Sequence, residues 1–205
     1  MAYVVFLRGV NVGGHKAFRP SVLASSLSRL NVKSFGAAGT FIVRGKVSER
    51  AARAEFLRYL PFDAQVMMCK AQELVDLVGD DPLRDQAHDK DITRFVSVLE
   101  KRPRAMPSLP ICAPESPGNN DWQVAVMAVR GCFALSLRRP RGKAFIYPNE
   151  VVEKRLGVAA TTRNWNTILT LCADLETASQ PVVKVRTGCE VQRSLPRSHR
   201  DTEKS

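Results

Sequence analysis

Tyr3-Val4-Val5-Phe6-Leu7-Arg8-Gly9-Val10-Asn11-Val12-Gly13-Gly14 decides the fold. Five apolar, β-prone residues run without interruption into a glycine-rich turn, the pattern of a first strand. Pro20 follows at a position that the first turn of a helix tolerates. Leu23, Leu27 and Leu30 then recur at i, i+4 and i+7, which is one helical face. The stretch from Val32 to Val43 divides at Gly36-Ala37-Ala38-Gly39 into two short strands joined by a tight turn. Ser48 is placed to cap a second helix, with Ala52, Phe56, Tyr59 and Leu60 as its apolar face. Ala64 to Cys69 reads as a fourth strand, and a short helix from Ala71 to Val78 closes the unit at Gly79.

The order strand, helix, strand, strand, helix, strand is that of a ferredoxin-like α/β plait. It recurs less clearly after the polar, turn-rich stretch from Asp80 to Asp91. Ile92 to Leu99 is a strand. Lys101 to Asn120 carries five prolines, so any helix there is short. Trp122 to Val129 and Cys132 to Leu137 form a hairpin turning at Arg130-Gly131. Pro148 to Leu156 is a helix stopped by Gly157, Val158 to Thr162 a last strand, and Asn164 to Leu175 a last helix. The expected fold is therefore α+β, with two tandem ferredoxin-like units over residues 1–86 and 87–176, each with an added C-terminal helix. Residues 177–205 are polar and basic and are expected to form a flexible tail.

Composition narrows the function classes. The 205 residues are 44% hydrophobic and 25% charged, as in an ordinary globular protein. No apolar run approaches the ~18 residues of a membrane span, and Met1 to Leu7 lacks the basic flank of a signal peptide. No membrane partner and a cytoplasmic location are expected. Five cysteines, Cys69, Cys112, Cys132, Cys172 and Cys189, are widely spaced without a CxxC pair. That favours reduced thiols over a disulfide framework or a zinc site. Cys69, Cys132 and Cys172 fall within apolar patterns, as buried thiols do. The net charge of +11 favours a polyanionic partner, nucleic acid or an anionic small molecule, through long-range attraction and counterion release.

Two constellations are candidates for binding. The first is Arg8, Asn11, Gly13, Gly14 and Lys16 in the loop after the first strand, which the antiparallel topology sets beside the Gly36–Gly39 hairpin. Glycines admit close approach of backbone N–H groups to an anion. The loop is not a P-loop, because His15-Lys16-Ala17 follows Gly14 where that motif needs Lys and then Ser or Thr. The second constellation is Arg163 and Asn166 at the start of the last helix, set by the same topology beside the basic run holding Arg138, Arg139, Arg141 and Lys143. Asn164 is the expected N-cap. Trp165, Ile168, Leu169 and Cys172 follow at i, i+3, i+4 and i+7, which marks Trp165 as a core residue. Catalytic signatures are thin. His15, His88 and His199 lie in a loop, a linker and the tail, and no HExxH or GxSxG context occurs. Neither a cofactor nor a metal is expected.

The opening Leu7-Arg8-Gly9-Val10-Asn11-Val12-Gly13-Gly14 and the closing Thr161-Thr162-Arg163-Asn164-Trp165-Asn166-Thr167 resemble the two signatures of the domain of unknown function 1697 family of bacterial proteins. The resemblance spans roughly Tyr3 to Asp174 and implies a duplicated α+β plait; it implies no reaction, cofactor or substrate. Many members carry Ser-Gly-Asn where this chain has Ala38-Gly39-Thr40, which reduces the polar character expected of the first constellation.

Three functions compete on this reading. One is a binding module for nucleic acid or a phosphorylated ligand. Another is an enzyme acting on an anionic small molecule with Arg8, Asn11, Arg163 and Asn166 as charge-stabilising groups. The third is a structural or protein-interaction module in which both motifs serve turns and caps.

Overall fold

A computed structural model describes residues 2–10, 18–86, 91–114, 122–140 and 145–177. The fold is mixed α+β, with two antiparallel sheets and five α-helices among these residues. The first sheet holds β1 (Tyr3–Leu7), β2 (Val32–Phe35), β3 (Thr40–Val43) and β4 (Val66–Lys70) in the order β2-β3-β1-β4. The second holds β5 (Thr93–Leu99), β6 (Ile111–Ala113), β7 (Val124–Arg130), β8 (Phe133–Arg138) and β9 (Ala160–Asn164) in the order β6-β7-β8-β5-β9. The helices are α1 (Pro20–Ser26), α2 (Glu49–Tyr59), α3 (Ala71–Asp80), α4 (Pro148–Leu156) and α5 (Trp165–Thr177).

Helices α3 and α5 lie between the two sheets. Val4, Phe6, Ile42 and Met67 of the first sheet and Val96, Val98, Leu135 and Leu137 of the second converge on Leu74, Leu77, Trp165, Ile168 and Leu171 in one buried cluster. The alternate residues Val5, Leu7, Phe41 and Val43 face Leu23 of α1 and Phe56 of α2 on the opposite side of the first sheet. Val124, Val126 and Ala134 face Val151, Val152 and Leu156 of α4 on the outer side of the second. Each sheet is thus covered on both faces, which explains why β1 is an unbroken apolar run. One extra residue in β7, between Val126 and Ala128, shifts the register. It moves the strand's apolar residues from the outer face to the inner one, as a β-bulge does.

Local signals read from the sequence operate as expected at several points. The Ser48 hydroxyl accepts from the Ala51 N–H at 3.3 Å and caps α2, and Gly157 ends α4 at φ +63°. Three expectations are corrected. Gly79 lies inside α3, which continues to Asp80 and ends at Asp81, a residue in the left-handed region at φ +34°. The Asp81 carboxylate explains that stop: it accepts from the Leu83 N–H at 3.3 Å and pairs with Arg94. The proline-rich crossover, in keeping with its five prolines, shows edge strand β6 and no helix among its described residues. The last strand runs through Arg163 and Asn164, because Val96 and Phe95 of β5 pair with them and override their weak β preference. Leu169 is exposed, and Leu171 and Leu175 fill the apolar face of α5 instead. Cys69 and Cys172 are buried and burial pushes both thiols up, Cys172 to about 11. Cys132 is only half-buried. Cys189 and the basic tail from residue 178 onward lie outside the described residues.

Candidate functional site: a cleft at the joint of the two sheets

The loop after β1 begins where the β2–β3 hairpin turns. Leu7 donates its N–H to the Gly39 carbonyl at 2.8 Å, which sets Arg8, Gly9 and Val10 against the hairpin. Gly39 is required there. Its φ is +69°, and a Cβ at that position would sit 2.5 Å from Val10 Cγ2 and 3.0 Å from Leu7 Cβ. This is the juxtaposition that the antiparallel order predicts.

From the second sheet, β9 approaches the same place. Arg163 points from β9 toward the first sheet and is 9% exposed. Its Nε donates to Thr40 Oγ1 at 3.0 Å. Its Nη1 donates to Thr161 Oγ1 and to the Thr162 carbonyl, both at 2.9 Å. Its Nη2 donates to the carbonyls of Leu7 at 3.2 Å and Ala38 at 2.6 Å. A guanidinium has five N–H donors, and here each has a protein acceptor. All five acceptors are neutral, so burial stands uncompensated by an opposite charge and pulls the Arg163 pKa down to about 10. The Thr161 hydroxyl reinforces the joint by donating to the Leu7 carbonyl at 3.4 Å. Thr40 therefore keeps a polar role in the hairpin despite the departure from Ser-Gly-Asn.

Arg8 makes the reciprocal crossing. Its Nη1 donates to Gln65 Oε1 at 2.6 Å, and its Nη2 pairs with Glu153 Oε2 of α4 at 2.8 Å. Glu153 Oε1 also accepts from the Ala160 N–H at 2.8 Å, which ties α4 to the start of β9.

Between these two crossings lies a cleft of about 980 Å³. Leu7 to Val10 and Ala38 wall it from the first sheet. Phe95, Ala160 to Arg163 and the segment from Tyr147 to Glu150 wall it from the second, with Phe145 at the same lining. Its volume is in the range of small-molecule sites.

Of the residues singled out by sequence, Arg8 and Arg163 line this cleft. Asn166 does not: it is exposed at the start of α5, where its N–H donates to Asn164 Oδ1 at 2.9 Å, so Asn164 supplies the expected cap while also ending β9. Arg139 stacks over Trp122, with its guanidinium carbon 3.8 Å from the ring centroid. Asn11, Gly13, Gly14, Lys16 and Arg141 lie outside the described residues. Sequence reasoning missed Glu153, Gln65 and the aromatic pair Phe145 and Tyr147. The pair was marked by its spacing: two aromatics at i and i+2 before Pro148 fall on one side of an extended segment. Among the described residues no group of three or more His, Cys, Asp or Glu side chains is arranged to hold a metal. Among them too, no helix is long and apolar enough to cross a membrane.

The profile of a family described as "Protein of unknown function (DUF1697)" matches residues 1–126. The match includes the opening signature and stops short of the closing one. A conserved bacterial protein from Streptococcus pneumoniae has a similar structure, with a TM-score of 0.50 at 14% identity, covering 85% of this chain and 98% of that one. Identity that low makes this a likeness of fold alone. No curated protein matches the chain.

Proposed function

The chain belongs to the DUF1697 family, whose description assigns no role, and from its geometry we propose that it is a binding module for a phosphorylated or other anionic ligand, nucleic acid included, seated in the cleft between the sheets. One observation carries this reading. The two signature stretches, about 150 residues apart, supply facing walls of the same cleft at Leu7–Val10 and Ala160–Arg163. Two further features support it. The chain carries +11 net charge, and Arg138 ends β8, with Arg139 directly after it, close to where Asn164 ends β9, since their neighbours on β5, Thr93 for Arg138 and Phe95 for Asn164, are two residues apart. Residues 11–17, with Lys16, follow directly on Val10, and residues 141–144, with Arg141, directly precede Phe145. Both junctions line the cleft.

The architecture fits this role as a pair of ferredoxin-like halves, 1–86 and 87–176. With edge strand β6 set aside, both sheets have the same order of corresponding strands, and α3 and α5 correspond as the added helices. Lys16, Arg139 and Arg141 would then serve the anion. Anisotropy of a labelled single-stranded RNA, titrated with the full chain against salt, tests the reading alongside calorimetry with ribose 5-phosphate. We expect one of them to bind and the Arg139→Glu, Arg141→Glu double variant to lose that binding. No binding of either at low salt removes the proposal.

A second reading is favoured by Arg163. With all five donors committed to the protein, this signature residue acts as the joint between the sheets rather than as a ligand contact. The two readings are compatible: the joint builds the cleft.

A further inference from the structure

We propose that the occupant of the cleft is a free nucleotide, whose base stacks on Phe145 and Tyr147 and whose edge is met by Asn149. The inference rests on the anion-binding reading and narrows it to one ligand class.

Phe145 and Tyr147 are each 52% exposed. Their ring centroids are 4.3 Å apart, with the planes inclined at 55°. Large aromatic side chains carry the greatest gain from burial, so two touching rings left open at the lining of a cavity form a surface with its partner missing. The backbone that carries the rings is fixed. Pro148 fixes the first turn of α4 directly behind Tyr147, whose carbonyl accepts from the Glu150 N–H at 3.1 Å. The Arg138 guanidinium carbon lies 3.6 Å from the Phe145 centroid. With the planes inclined at 55°, a base can lie flat on one ring and meet the other at an angle, and such aromatic surfaces accept any base because every base has a π-face.

The remaining lining suits the rest of a nucleotide. Leu7, Val10 and Phe95 are apolar. Half-buried Asn149 lines the same cleft, and its side chain makes no hydrogen bond among the described residues. Its carboxamide offers a donor and an acceptor side by side, which is the pairing that a base edge requires. The net charge of +11 on the chain draws an anion at long range, while the described lining itself balances Arg8 and Arg163 with Asp63 and Glu150. A single nucleotide is favoured over a strand because, among the described residues, Phe145 and Tyr147 are the only exposed aromatics. Trp122, the other aromatic beside the end of β8, is packed against the central core and stacked with Arg139.

Calorimetry with the full chain decides the matter. The probes are the four ribonucleoside 5′-monophosphates, ribose 5-phosphate and a single-stranded RNA. We expect at least one nucleotide to bind about tenfold more tightly than ribose 5-phosphate. Phe145→Ala and Tyr147→Ala should each weaken that nucleotide by about 5- to 100-fold and leave ribose 5-phosphate unchanged. Both side chains are on the surface, and thermal melting of each variant verifies the fold. Tyr147→Phe should retain most of the affinity. Equal binding of nucleotide and ribose 5-phosphate, or indifference of nucleotide binding to both alanine variants, overturns the nucleotide inference and leaves anion binding intact. Binding of the RNA without any mononucleotide overturns it in favour of a strand. Silence of all the probes takes the anion-binding reading down with it.

Discussion

Arg8 and Glu153 meet at 2.8 Å across the joint between the two sheets, although 145 residues separate them in the chain. The pair is asymmetric in its other bonds. Arg8 is also held by Gln65 of its own half, and Glu153 also accepts the Ala160 N–H. Either loss strips two groups of a partner, but losing Glu153 releases the backbone N–H of fully buried Ala160, whereas losing Arg8 releases the exposed Gln65 side chain, which water can serve. A double-mutant cycle of Arg8→Ala and Glu153→Ala should give a coupling of about 1 kcal/mol, as a partly exposed ion pair does. Glu153→Ala should be the more destabilising single change, measured by urea unfolding. Equal effects without coupling would mean that the crossing contributes nothing to the joint.

Arg163 is the costlier member of the two crossings to disturb. Arg163→Ala removes the guanidinium donor from the carbonyls of Ala38 and Thr162 and from the hydroxyls of Thr40 and Thr161, and leaves the Leu7 carbonyl with the Thr161 hydroxyl alone. Unsatisfied buried acceptors cost about 1–3 kcal/mol each, only part of it recovered by relaxation. A total loss of about 3 kcal/mol or more is expected. Arg163→Lys should rescue little, since an ammonium cannot reproduce the planar fork. Denaturation midpoints of the two variants test this, and a lysine variant as stable as the parent would show that charge, not the fork, is what the joint requires.

The β2–β3 hairpin offers a controlled comparison. Gly36 and Gly39 both have positive φ, +64° and +69°, but a Cβ at Gly36 meets nothing within 4 Å while one at Gly39 collides with Val10 and Leu7. Gly36→Ala should cost only the left-handed conformation, about 1 kcal/mol. Gly39→Ala should cost that and the displacement of Val10 from the cleft wall, about 2–3 kcal/mol in all. If the nucleotide inference holds, Gly39→Ala also weakens ligand binding and Gly36→Ala does not.

The parts of this architecture that were legible in the sequence are those governed by local rules. The apolar run of β1, the Ser48 cap and the Gly157 stop each carry their own physical signal. The crossings were not legible in the same way. Arg163 looked like a cation at a helix start, and nothing nearby in sequence marks Thr40 or Ala38 as its partners. Its strand position comes from pairing with Val96, a long-range contact that a window of neighbours does not contain. Topology set Arg8 beside the Gly36–Gly39 hairpin, where Leu7 pairs with Gly39. That Arg8 and Arg163 line one cleft depends on how α3 and α5 stack the sheets, and that packing has no local signature.

Asp174 gives the joint a pH dependence whose sign can be worked out. On α5, it takes a hydrogen bond from Lys33 of β2, and its other oxygen accepts from Arg44 Nη2 at 3.1 Å. The Lys33 hydrogen bond, aided by Arg44 and opposed by partial burial, holds the carboxyl below its ordinary value. A carboxyl that is more acidic in the folded state supplies stability that is complete above its unfolded value, about pH 4. That stability disappears as the pH falls through the lower folded value. Asp174→Asn should therefore cost about 1 kcal/mol at pH 7, and the difference from the parent should shrink progressively below about pH 4. Urea titrations of both proteins at pH 7, 4 and 3 measure this. A gap that stays constant across that range would mean that Asp174 holds α5 to the first sheet through its shape and neutral hydrogen bonding, with its charge contributing nothing.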